Sequence, residues 1–211
     1  MLTIIRQRTL KKLLQYKEKN SKSLPTIYYF GYGANIDPDF LAKRISTFEV
    51  LGAAQIEGYK FSFNTPCEYL KKGFGGISEA EGQTVYGTLY KLREESLELL
   101  DCLEWVLFNF YKRSLVTVKH EDQSIQAHVY IPMCPRDDLI PSNGYKNLIV
   151  RMAKKYSLPE QYIATLEAVE AKDIFPLDHA FNLRDPSKKR ILTNQYYVLH
   201  DKLREKLCNL I

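Results

Sequence analysis

Glu104 breaks the pattern of its surroundings. Between Arg93 and Val106 apolar residues recur at a helical period, with Leu97, Leu100, Leu103 and Leu107 on one stripe. Positions four apart share a helix face, so Glu104 lies above Leu100 and close to the line of Leu97 and Leu103. A carboxylate on that stripe is desolvated, which disfavours its charged form. Near a helix C-terminus the macrodipole acts in the same direction. A glutamate tuned toward neutrality can take up and return a proton at cellular pH. The plainer alternative is a stripe-edge glutamate that reaches solvent or pairs with Arg93 or Lys91.

A second chemical feature is the segment YFGYGAN, comprising Tyr29, Phe30, Gly31, Tyr32, Gly33, Ala34 and Asn35. The two glycines permit positive φ and remove Cβ atoms that would block a ligand. Amides exposed in such a loop form a nest suited to a carboxylate or an oxyanion. A turn needed only for folding would carry the same glycines. Tyr111, Tyr130 and Tyr145 stand at predicted strand and helix boundaries, where a phenol can line a pocket or pack into the core.

These residues need elements to hold them. TIYYFGYG after Pro25 reads as a buried strand entering a tight loop. A helix follows, with Asp37 as N-cap, Pro38 at N1, and Phe40, Leu41 and Ile45 as its apolar stripe. Short strands are expected at FEVLGAAQI, YKFSF, GGIS and VYGTLYKL, divided by Gly, Pro and Asn. After the helix that carries Glu104, YKRSLVTVKH and SIQAHVYIP flank a turn at residues 121–123. NLIVRMAKKYS, LPEQYIATLEAVE and NQYYVLHDKLREKLCNLI have helical patterns, and residues 172–190 read as a long surface loop. Strands, an inserted helix, strands and then helices define an α+β fold, a small mixed β-barrel or curled sheet with flanking helices. GYGAN lacks the third glycine of a dinucleotide fingerprint, which argues against a Rossmann reading.

With 211 residues the chain can bury one sizeable core without staples. The net charge of +5 is concentrated at the ends, in Arg6, Arg8, Lys11, Lys12, Lys17, Lys19 and Lys22 and in Lys188, Lys189 and Arg190. Without interleaved aromatics these clusters read as solvated faces, so no nucleic-acid partner is expected. Cys67, Cys102, Cys134 and Cys208 form no CxxC pair and have no histidine at ligand spacing, so no metal site is expected. No apolar run approaches a membrane span, and no membrane partner is expected. Free thiols fit a reducing cytoplasm. Residues 1–22, basic and poor in acids, suit either an organelle presequence or an amphipathic helix packed on the domain.

Taken in order, these features resemble the AIG2-like, γ-glutamylcyclotransferase-like family, from about Tyr28 to Lys172. YFGYGAN is similar to the family's aromatic-Gly-Tyr-Gly-Ser-Asn loop, FGGIS to its Gly-Gly segment, and VYGTLYKL to the strand before its catalytic helix. LDCLEWV resembles its Leu-Asp-x-x-Glu-x-Val pattern, and YKNLIVRMAKKYSLPEQYIATLEAVEA its last two core helices. The resemblance divides the chain into a basic helical extension (1–24), the γ-glutamylcyclotransferase-like domain (25–172), and a loop with a C-terminal helix packed on that domain (173–211).

The resemblance implies a lyase-type, acyl-transfer-like enzyme that needs no cofactor. A γ-glutamyl amino acid would cyclise to 5-oxoproline and release the amino acid, with Glu104 as the acid/base. The amides of Gly31 to Asn35 would hold the glutamyl head, and Tyr111, Tyr130 and Tyr145 would shape the pocket. The partner is then a small γ-glutamyl amide, and a homodimer is implied by resemblance alone. γ-Glutamylamine cyclisation, removal of a γ-glutamyl protecting group, and a silent γ-glutamyl-binding or interaction module are the alternatives. Glutathione, the substrate that would tie the chain to glutathione metabolism, fits the loop less well. Two departures stand out: Ala34 replaces the loop serine, and Trp105 with the bulky LFNF replaces a smaller, Gly-containing stretch.

Overall fold

A computed structural model describes residues 2–67 and 72–173. The expected loop at 172–190, the C-terminal helix, the second basic cluster and Cys208 fall outside the described residues, except for the first two positions of that loop. The elements run α1 (Leu2–Asn20), β1 (Ile27–Gly31), α2 (Pro38–Leu41), β2 (Phe48–Cys67), β3 (Lys72–Leu92), α3 (Glu94–Leu103), β4 (Tyr111–His120), β5 (Gln123–Pro132), α4 (Asn143–Lys155) and α5 (Glu160–Glu167). The strands close into a barrel in the order β1-β3-β2-β4-β5. A parallel contact at Tyr29 and His128 completes the ring.

The four short strands expected between residues 48 and 92 are two long ones. β2 and β3 form one antiparallel hairpin whose register slips between Val50 and Gly52, between Glu57 and Tyr59, and between Ser62 and Thr65. Gly52, Gly58 and Gly82 stand at positive φ there, so the glycines that read as breaks are bends within continuous strands. Such irregularities let a long hairpin curl into a barrel.

Alternation along the strands separates two cores. Phe30, Ala54, Ile56, Ile77, Val85, Leu89, Val118, Ala127 and Val129 come from all five strands and pack together as the barrel interior. Tyr29, Tyr90 and Leu92, offset by one residue, point outward against Leu41, Ile45, Leu97, Leu99 and Leu100 of the α2 region and α3. A third cluster joins α4 and α5 to the barrel through Ile36, Phe63, Tyr145, Leu148 and Met152.

α1 packs on α3. Its single acid, Glu18, is almost fully buried and accepts hydrogen bonds from the Ser46 and Thr47 amides (2.8 and 3.2 Å), Ser46 Oγ (2.7 Å) and Ser96 Oγ (3.0 Å). Lys17 meets Glu98 at 2.7 Å and Arg93 donates to the Ser21 carbonyl at 2.9 Å. The basic N-terminal stretch is thus a helix held on the domain by these contacts. Cys102 and Cys134 are free thiols. Among the described residues no helix is long and apolar enough to cross a membrane.

Candidate active site

The YFGYGAN segment is bent by its glycines and held by β3. A Cβ on Gly31 would lie 2.5 Å from the Asn35 carbonyl oxygen, so only glycine lets the chain fold back at that point. A 3₁₀ turn at Ala34–Ile36 follows, closed by Ile36 N–H to the Gly33 carbonyl at 3.0 Å. From β3, Tyr90 donates to the Asn35 carbonyl (2.7 Å) and Thr88 to that of Ile36 (2.8 Å). Asp37 then caps α2 by accepting from Asp39 N–H at 3.0 Å, with Pro38 at N1 as expected.

α3 delivers Glu104. The helix ends at Leu103, and the Glu104 amide donates to the Leu100 carbonyl at 2.7 Å as the C-cap. Its carboxylate does not pair with Arg93 or Lys91. Oε1 lies 2.9 Å from Arg44 Nη2 and accepts from Asn35 Nδ2 at 3.1 Å. Arg44 Nη1 donates to Asn35 Oδ1 at 3.1 Å, closing a three-residue ring. The acid is thus not the lone carboxylate that the stripe suggested, because the turn after α2 brings it the counter-charge of Arg44. The Glu104 side chain keeps 15% of its surface accessible, so a small ligand can reach it.

Five buried tyrosines lie close enough to this carboxylate to feel its charge. Burial pushes the Tyr29, Tyr32, Tyr111, Tyr130 and Tyr145 phenols up, and the negative charge of Glu104 adds to the shift in each. They stay protonated as neutral hydrogen-bonding groups. Tyr29 accepts from Asn35 Nδ2 at 2.7 Å, and Tyr32 donates to the Tyr130 carbonyl. Tyr130 donates to Asp101 Oδ1 at 2.8 Å, and Arg113 holds the other oxygen of Asp101 at 2.9 Å. Burial raises the Asp101 carboxyl, against the pull of Tyr130 and Arg113.

Gly75 ties the remaining two phenols to the site. Tyr111 donates to its carbonyl at 2.9 Å, and its amide donates to Tyr145 at 3.0 Å. The Ala34 backbone also hydrogen-bonds the Tyr145 hydroxyl, so this phenol bridges the two glycine segments. The serine-to-alanine departure therefore leaves a backbone contact in use.

The structure brings Glu104, Tyr29, Tyr32, Gly33, Ala34, Asn35, Tyr111, Tyr130 and Tyr145 around one region, with Gly31 as the bend that allows it. Phe30 is elsewhere: it is fully buried in the barrel interior, on the face of β1 opposite Tyr29. Sequence reasoning missed Arg44 and Asp101. Arg44 had one signal, a cation four residues after Phe40, whose ring it overlies at 5.8 Å. Asp101 had another, a carboxylate three residues before Glu104 on the same helix.

Trp105 follows Glu104 in the left-handed region at φ 58°, an uncommon conformation for a bulky residue, and Asn109 does the same at φ 55°. Trp105 is buried with its ring 5.3 Å from Phe108. The bulky departure is thus accommodated by a strained turn directly after the acid.

A closed five-stranded barrel with flanking helices is the fold this chain shares with solved γ-glutamylcyclotransferase-like proteins. The AIG2-like family model matches residues 84–166, a stretch holding α3, Glu104 and three of the tyrosines. γ-Glutamylcyclotransferase of Bos taurus is 28% identical over 162 residues, 74% of this chain and 86% of that protein. The Homo sapiens protein of the same name is 29% identical over 150 residues, 69% of this chain and 79% of its own. A solved γ-glutamyl cyclotransferase superposes with a TM-score of 0.65 at 25% identity, covering 71% of this chain and 90% of that one. The chain resembles the AIG2-like, γ-glutamylcyclotransferase-like family in sequence and in fold, as its motifs implied.

Proposed function

We propose that this chain is a γ-glutamylcyclotransferase. The observation that carries the reading is the partly accessible Glu104 carboxylate, held against the YFGYGAN turn by Asn35 and Arg44 with neutral phenols close by. The names of its relatives support the same reading.

The substrate supplies its own nucleophile. The α-amine of a γ-glutamyl amide attacks the side-chain carbonyl, a C–N bond closes the five-membered ring, and the original amide C–N bond breaks. The products are 5-oxoproline and a free amino acid. Intramolecular attack in a well-oriented conformer corresponds to effective molarities of about 10⁵–10⁸ M, so holding the bent conformer removes much of the barrier. Two protons must then pass from the attacking nitrogen to the departing one. Glu104 takes the first from the ammonium, making the amine nucleophilic, and returns it to the departing nitrogen; the second leaves the ring nitrogen as the adduct collapses and is taken up by the released amine. Tyr29, Tyr32, Tyr111, Tyr130 and Tyr145 exclude water and fix the backbone around the glutamyl head. The bulky residues that follow Glu104 bias the choice of leaving group.

The test is 5-oxoproline release from γ-glutamyl amino acids, γ-glutamylamines and glutathione. Glu104→Gln should lower turnover by about 10²-fold or more, the scale of a general acid/base, while the circular dichroism spectrum and melting temperature stay near the parent values. Full activity in Glu104→Gln would overturn the assignment. γ-Glutamyl ligand binding measured by calorimetry without product would instead identify a binding module.

A further inference from the structure

The Asn35 side chain has two N–H donors, and both are in use: one reaches Tyr29 Oη at 2.7 Å and the other Glu104 Oε1 at 3.1 Å. Its Oδ1 accepts from Arg44 at 3.1 Å. An amide so committed has no N–H left for a ligand. Arg44 makes its ion pair with the same oxygen of Glu104 that Asn35 holds. Both of these closest contacts fall on Oε1, and among the described residues no hydrogen bond is made to Glu104 Oε2.

From this we infer that Arg44 and Asn35 are positioning residues that pin Oε1 of Glu104 and present Oε2 to the substrate amine. The inference rests on the cyclotransferase reading and gives the Asn35 side chain a task of its own, beside the backbone amides expected to hold the glutamyl head. A carboxylate at a helix C-cap has several side-chain rotamers available. One contact would leave it free to rotate about that contact. Two donors on a single oxygen, themselves joined by Arg44 to Asn35 Oδ1, fix the carboxylate and so direct the other oxygen. Arg44 is steadied in turn by stacking over Phe40 at 5.8 Å. Asn35 is steadied by Tyr29 and by the bond from Tyr90 to its own carbonyl at 2.7 Å. The buried region keeps the ring geometry rigid, since Asn35 is 6% exposed.

The experiment measures kcat and KM separately for the full chain and for Arg44→Met, Arg44→Lys and Asn35→Ala. The same γ-glutamyl amino acid is used throughout, and folding is checked by thermal melting. A misoriented acid/base impairs the chemical step, so Arg44→Met and Asn35→Ala should each lower kcat 10- to 100-fold with KM within about threefold. Arg44→Lys keeps the charge but loses the fork, and should recover part of kcat. The double variant Arg44→Met/Asn35→Ala should lose little more than the worse single variant, because both act through one carboxylate. Unchanged kcat in a folded Arg44→Met, or a rise confined to KM, overturns the inference while leaving the cyclotransferase reading in place. If Arg44→Met does not fold, the folded Arg44→Lys and Asn35→Ala decide: parental kcat in both overturns the inference. No turnover in the parent on any γ-glutamyl amide overturns the underlying reading and the inference with it.

Discussion

Gly31 shows how much chemistry depends on one missing atom. Its Cβ would strike the Asn35 carbonyl, which is backbone and cannot swing away, whereas a Cβ on Gly33 would meet only the Tyr145 hydroxyl at 3.0 Å. Gly31→Ala should therefore push Asn35 away from Glu104. A displacement of about 1 Å costs on the order of 10²-fold in rate, and kcat/KM for 5-oxoproline release should fall on that scale. Gly33→Ala meets a side chain that can give, but its backbone at φ −92° and ψ −132° disfavours a Cβ, so it should lower the rate by less than Gly31→Ala. Equal losses in the two variants would contradict this geometry. The position of Glu104 and the glycines of the loop were legible because both break local rules of pattern. The charge balance of the acid was not, because Arg44 lies 60 residues away in the chain and no helical or strand period connects it to Glu104.

The elements are coupled at a point the composition concealed. Glu18 counts in the sequence as the lone acid in a basic stretch, but it is the buried anchor of α1 on α3 and on the turn before β2. Removing it leaves the Ser46 and Thr47 amides without their partner. The two amides are part-buried and can turn to water, whereas the Ser96 hydroxyl is buried, so Glu18→Ala should lower unfolding stability by roughly 1–3 kcal/mol in urea titrations. Glu18→Gln should fall between the two. A loss under about 0.5 kcal/mol, the range of ordinary surface substitutions, would mean that α1 is not anchored through this carboxylate. The exposed Lys17–Glu98 pair should add little by comparison. Helix periods were readable for α2, α3, α4 and α5. Strand boundaries in β2 and β3 were not, because a glycine at a bulge and a glycine at a turn look alike in sequence.

Across the whole molecule the buried tyrosines set an alkaline limit. Tyr29, Tyr32, Tyr90, Tyr111, Tyr130, Tyr145 and Tyr162 are all pushed up, first by burial. In the unfolded chain a tyrosine loses its proton near pH 10, roughly the value of a free tyrosine side chain. Above that pH the native state holds more protons than the unfolded state, so stability must fall as pH rises, by about 1.4 kcal/mol per pH unit for each proton of difference. Below about pH 9 these phenols contribute no pH dependence. Urea midpoints between pH 8 and 11, read beside phenolate absorbance, should fall steeply above pH 10, with part of the absorbance appearing only on unfolding. A flat midpoint through pH 11 would show that the phenols are not buried as a group. The sequence by itself determined the α+β class, the placement of Glu104 on a helix end and the glycine loop that faces it, because periodicity, capping and glycine content are local properties of the chain. Only the tertiary structure decided that the sheet closes into a barrel, that Phe30 turns inward while Tyr29 turns out, that Tyr111 and Tyr145 meet at Gly75, and that Arg44 and Asn35 share one oxygen of the acid. Those outcomes depend on register, closure and the meeting of residues far apart in the chain, which no local pattern encodes.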